Sequence, residues 1–153
     1  MRLFDLCVAK KLSGGSGGGD NQFAELMQRT ITIAGGSDVK SIGDYALYGC
    51  DTLISVNFPN ATSIGTNAFS NCARLTSVDF PSATSIGEYA FSNCRNLSTL
   101  ILRKRAVLLS TNAIPSQTIV YVENADLDWY SAATNWSVLY AMNRVKSVDE
   151  LPE

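Results

Sequence analysis

The chain contains no histidine. That absence removes the commonest general base, the usual nucleophilic triads and most transition-metal sites together. Charge is scarce as well: 17% of the 153 residues are charged, and the net charge is −2. Such a balance sets up no field that would gather nucleic acid or an anionic membrane. No apolar run approaches the roughly 18 residues of a membrane span. Leu3 to Ala9 does not read as a secretory leader, because Asp5 interrupts it and Lys10-Lys11 comes after it instead of before it. The acidic residues Asp44, Asp51, Asp79 and Glu88 are scattered, without the spacing of a calcium loop. No cofactor and no metal is expected. With 46% apolar residues, the chain suits one folded domain with a short appendage.

Cysteine is limited to Cys7, Cys50, Cys72 and Cys94, the last three spaced by 22 residues. A disulfide framework is one reading. Equivalent thiols on successive structural units point the same way, however, with Cα atoms expected beyond the ~7 Å bridging limit. The expectation is a ladder of buried thiols acting as small apolar groups, which leaves the redox compartment unreported.

What the chain does have is a repeat. Ser63-Ile64-Gly65-Thr66-Asn67-Ala68-Phe69-Ser70-Asn71-Cys72 returns 22 residues later as Ser85-Ile86-Gly87-Glu88-Tyr89-Ala90-Phe91-Ser92-Asn93-Cys94. It also runs back to Ser41-Ile42-Gly43-Asp44-Tyr45-Ala46-Leu47-Tyr48-Gly49-Cys50. A fixed period of this size marks a solenoid, whose units bury their apolar sides only against one another. Val56 and Phe58 alternate with Ser55 and Asn57, which predicts a short strand with two residues inward, ended by Pro59. Gly65 is expected where the chain turns sharply. Ala68, Phe69 and Cys72 sit at helical spacing on a single turn. The next coil drifts: Arg103-Lys104-Arg105 replaces the proline turn, Leu108 takes the isoleucine position, and Asn112-Ala113-Ile114 runs one residue out of phase. The fold class is therefore α/β: a short solenoid of 22-residue repeats, with strands on one edge, single helical turns on the other, and helical caps.

Around the repeats the chain divides into three parts. Residues 1–12, with Leu3, Phe4, Leu6 and Val8, form a docking peptide or a tail. Residues 13–19 are a Gly/Ser linker spanning roughly 14 Å by random-coil scaling; they lack the Lys-Ser/Thr ending of a phosphate loop. The main domain is 20–153. In it, Phe23, Leu26 and Met27 give 20–29 the apolar face of a helix that closes the first coil. Repeats occupy 30–117, with Ala34-Gly35-Gly36 as a turn, and 118–153 form the C-terminal cap. There Asn124 is expected to cap a helix, and Leu127, Tyr130, Trp136, Val138 and Leu139 to close the core. A last strand is expected near Val145 and Val148.

At these residues the pattern Ser-Ile-Gly-x-x-Ala-Phe-x-x-Cys-x-x-Leu-x-x-Val-x-Phe-Pro, over about 30 to 122, resembles the BspA-like leucine-rich repeat. Ile119 to Trp136 resembles the family's usual C-terminal end. The resemblance implies a right-handed coil, an extended binding face, no catalytic residues, and roles in adhesion and protein binding at bacterial surfaces. The start, Phe4 to Ser13, is similar to N-termini of small phage and prophage virion-associated proteins. Together these imply an extracellular, cell-surface or virion location.

Two outward rows are expected to touch any ligand of the strand edge: Thr32, Asn57, Asp79, Ile101 and Tyr121, and Ser55, Ser77, Thr99 and Ile119. The alternative is an ordinary solvated sheet face with a patch under the C-terminal helix. Tyr121 is expected to be an aromatic anchor. Arg103, Lys104 and Arg105 are the dense positive cluster, a candidate contact for an anion or simply solvated charges. Asp79 and Glu88 are not expected to meet as an acid pair, and Asn71 with Asn93 is expected to form a hydrogen-bonded ladder. The expected function is a non-enzymatic binding module whose strand face meets a surface protein or glycan and whose residues 1–12 attach it to an assembly. The alternative is a structural part of a virion or surface layer, self-associating or meeting a virion partner through 1–12.

Overall fold

The computed structural model describes residues 31–33, 39–105, 108–110 and 112–152. The docking peptide 1–12 with Cys7, the linker 13–19, the helix 20–29 and the turn at Ala34-Gly35-Gly36 lie outside the described residues.

Alternation builds the principal sheet. Val56 and Phe58 are buried while Ser55 and Asn57 are half-buried, and the pattern repeats at Val78 and Phe80, then at Leu100 and Leu102. The strands β1 (Ile31–Ile33), β3 (Leu53–Asn57), β5 (Ser77–Asp79), β7 (Thr99–Leu102), β9 (Ile119–Val122) and β10 (Val145–Ser147) lie side by side in that order, all parallel. Val56, Val78, Leu100, Val120 and Val145 run in register as one buried row. A second parallel sheet of two-residue strands links β2 (Ser41–Ile42), β4 (Ser63–Ile64), β6 (Ser85–Ile86) and β8 (Leu108–Leu109). Leu109, not Leu108, pairs with Ile86. The extra residue in that coil moves the isoleucine position by one, as it also moves Asn112. Thr32 pairs with Ser55 and not with Asn57, because the register shifts between Ile31 and Thr32.

The other edge of each coil is a single turn closed by bonds to the third residue along: Ala68 N–H to Gly65 O, Ser70 N–H to Asn67 O and Cys72 N–H to Phe69 O. Left-handed residues bracket it, Asn67 at φ 54° and Asn71 at φ 63°, so it does not extend into an α-helix. Between the edges the phenylalanines stack. Phe69 and Phe91 lie 5.2 Å apart and nearly parallel, and Phe58 and Phe80 lie 5.9 Å apart.

The cap begins with a 3-10 turn, Asn124–Asp126, then α1 (Leu127–Ala132) and α2 (Ser137–Ala141). Asn124 makes no side-chain cap; it is the first residue of the turn, behind Glu123. Tyr130 and Trp136 are fully buried and meet edge to face, 4.9 Å apart. Leu127 and Leu139 pack against the core. Val138, expected inside, is 63% exposed, because its side of the short helix α2 turns away from the core. The last strand is β10, and Val148 begins a 3-10 turn instead of continuing it.

Candidate functional site

The sheet's outer positions fall into two ladders. Ser55, Ser77, Thr99 and Ile119 form one; Asn57, Asp79, Ile101, Tyr121 and Lys146 form the other. All are half-buried except Tyr121, which is only 5% exposed. The expectation of Tyr121 as an anchor is therefore corrected. Lys146 of β10 lies beside it, and the 3-10 turn Val148–Glu150 packs back against β9. The usable face runs along β3, β5 and β7, with Ile119 at its lower end.

At its polar end, Asn57 Oδ1 and Asp79 Oδ1 are both buried and make no hydrogen bond. Two acceptors on neighbouring strands have no donor between them. Burial pushes the Asp79 carboxyl above the ordinary carboxylate range, and Arg103 offsets this only in part. The neighbouring asparagine pair shows a satisfied version: Asn93 Nδ2 donates to Asn71 Oδ1 at 2.9 Å.

The basic cluster is turned toward the chain's own acids. Arg103 pairs with Glu123 at 3.1 Å. Arg105 pairs with Asp126 at 2.7 Å and lies 6.0 Å from the Trp129 ring centre. Lys104 is exposed, and its backbone carbonyl accepts the Tyr130 hydroxyl at 3.0 Å. Two of the cluster's three charges thus pair across the seam between the last full coil and the cap.

The thiols are of two kinds. Cys72 and Cys94 are free and buried, donating to Leu47 O at 3.1 Å and Phe69 O at 3.0 Å. The neighbouring Cys94 thiol and burial hold Cys72 protonated. Cys50 is disulfide-bonded, which corrects the expectation of three equivalent free thiols. Among the described residues no group of three or more His, Cys, Asp or Glu is placed to hold a metal, and no helix is long and apolar enough to cross a membrane.

Some features escaped the reading of the sequence. Tyr45 and Tyr89 occupy the left-handed position that Asn67 holds in the coil between them, and both are exposed. Tyrosine at an asparagine position of the repeat was the available signal. Arg144 donates to the carbonyls of Thr118 and Pro115 and so ties the cap to the last coil; no repeat marks it.

No curated protein matches the chain. A family model described as the BspA type leucine-rich repeat region does match, in six copies over residues 19–125. That span is more than half of the sequence, and the protein belongs to the BspA-type leucine-rich repeat family.

Proposed function

We propose that the protein is a non-enzymatic interaction module that engages a surface protein or glycan through the strand face formed by Asn57, Asp79, Thr99, Ile101 and Ile119. Leucine-rich repeats of this type serve protein interaction and adhesion. The observation that carries the reading is the pair of buried, unpaired oxygens on Asn57 and Asp79 in the outward ladder. Unmade hydrogen bonds of this kind are costly inside a chain alone, and either oxygen gains a donor from a partner once its side chain turns outward, because both atoms are buried in the unbound chain. Small residues flank them at Ser55, Ser77 and Thr99, which lets a partner approach closely.

The test compares immobilised full-length protein with a Thr99→Arg/Ile101→Glu variant, both exposed to bacterial surface proteins and to a neutral glycan array. A ligand retained by the parent and lost by an equally stable variant supports the face. Equal retention by both moves binding elsewhere and overturns it. Attachment through residues 1–12 is a separate part of the proposal. Light scattering on the full chain, beside one starting at Asp20, tests it. An oligomer that becomes a monomer makes 1–12 an assembly peptide and favours a virion or surface-layer component. Two monomers favour a stand-alone binding module.

A further inference from the structure

Along the turn edge, each coil donates its amides to the carbonyls of the next. The donors are the left-handed residue and the residues two and four beyond it, the last seen in Gly49 N–H to Ser70 O and Asn71 N–H to Ser92 O, each 2.8 Å. Tyr45 N–H bonds Thr66 O at 2.9 Å, and Leu47 N–H bonds Ala68 O at 2.8 Å. Asn67 and Phe69 donate in the same way to Glu88 O at 3.0 Å and Ala90 O at 2.8 Å, and Phe91 donates to Ala113 O at 2.9 Å. The last coil keeps the geometry, with φ 54° at Asn112 against 56°, 54° and 55° at Tyr45, Asn67 and Tyr89. Asn112 and Ile114 therefore stand at the first two donor positions of the last coil. Neither N–H has an acceptor among the described residues.

The cap does not fill the space before them. A cleft of about 310 Å³ lies between this turn and α2, lined by Ser110, Asn112, Ala113 and Ile114 on one side and by Asn135, Val138 and Leu139 on the other. Among the described residues no charged side chain lines it.

We propose that this cleft binds an uncharged peptide segment of another protein, held in the turn conformation of the repeat, which places two backbone carbonyls, two residues apart, on the Asn112 and Ile114 amides. The spacing argues for a peptide: the coils inside the stack offer carbonyls at that same separation, from Thr66 and Ala68 and again from Glu88 and Ala90. The uncharged walls select against a charged segment, which would lose hydration without gaining a counter-ion. Val138 and Leu139 supply an apolar wall for the side chain between the carbonyls. The peptide thus continues the coil-to-coil ladder, as an added strand continues a sheet. This surface is separate from the strand face and does not depend on it.

The probe is a blocked peptide of this chain's own residues 65–71, Gly-Thr-Asn-Ala-Phe-Ser-Asn, which is uncharged and which inside the fold accepts from the equivalent donors Tyr45 and Leu47. Titrated into the isotope-labelled full chain, it is expected to give saturable shifts at Asn112, Ile114, Val138 and Leu139. Amide exchange at Asn112 and Ile114 should slow. Val138→Arg, at a 63% exposed site, should weaken binding about tenfold or more, equivalent to at least ~1.4 kcal/mol, with an unchanged melting temperature. Absence of saturable shifts at these residues with the peptide at millimolar concentration overturns the proposal. So does binding that Val138→Arg leaves intact. Self-association abolished by Val138→Arg would assign the cleft to a second copy of the chain and overturn it as well.

Discussion

A Cβ on Gly65 would sit 2.5 Å from Asp44 Oδ1 and 2.6 Å from Asp44 N; on Gly87 it would sit 2.7 Å from Gly65 C and Thr66 N. Neither glycine has a positive φ, so close approach of the preceding coil, not a sharp turn, requires them. Gly65→Ala should cost about 1–3 kcal/mol in urea unfolding, since backbone must move. Gly43→Ala, with open space among the described residues, should change stability by less than about 0.5 kcal/mol. Tyr89 makes the opposite case. It holds a left-handed conformation that costs a residue with a Cβ, so Tyr89→Asn should gain about 1 kcal/mol. A loss instead would show that contacts of the ring outweigh the strain. Asp79 introduces a pH dependence. Its carboxyl titrates above the ordinary range in the folded state, so the folded chain binds the proton more tightly than the unfolded chain. That contribution is complete at pH below the unfolded carboxylate value and is lost as pH rises through the folded one. Asp79→Asn removes the loss and supplies a donor for Asn57 Oδ1, as Asn93 does for Asn71. The variant should melt higher than the parent at pH 7, and the advantage should shrink toward about pH 3, where Asp79 is protonated. No gain at pH 7 would mean that Arg103 already compensates the burial.

At the scale of elements, the repeat's strands and turns lie close to where its residues place them, while the cap does not derive from any period. The alternation Val56-Asn57-Phe58 and its copies settle which face of the sheet is buried. The cap is held by contacts between distant segments. Arg144 O accepts Val120 N–H at 2.7 Å, and its guanidinium reaches the Thr118 carbonyl at 2.9 Å. Burial lowers its pKa but leaves it cationic across the physiological range. Arg144→Ala should leave carbonyl groups at the seam unpaired and cost about 1–3 kcal/mol in thermal or urea unfolding. Hydrogen exchange should quicken first in β10 and β9, and only later in β3 and β5. A uniform rise in exchange would mean that the cap and coils open as one unit.

Across the whole molecule, the phenylalanine column is the shared core. Phe69 stacks on Phe91, and Phe80 touches both. Phe69→Ala or Phe91→Ala should cost roughly 3–5 kcal/mol, as large-to-small core changes do. Each coil is stabilised mainly by its neighbours, so in a stack this short such a loss should unfold all coils together. Coincident far-ultraviolet circular dichroism and tryptophan fluorescence transitions would show this. Separated transitions would show that the cap, which holds Trp129 and Trp136, outlives the coils. The sequence by itself determined the solenoid, its period, its inward residues and its family resemblance, because each is written locally and repeated every coil. It also marked the outward strand rows as the candidate face. Only the tertiary structure decided how much of that face is open: the C-terminal segment folds back beside β9 and buries Tyr121, while Glu123 and Asp126 draw Arg103 and Arg105 into ion pairs. It likewise placed Val138 outside and left Asn112 and Ile114 lining a cleft. These outcomes depend on where residues far apart in the chain come to rest, and a 22-residue pattern carries no instruction for the non-repeating segment that packs against its last coil.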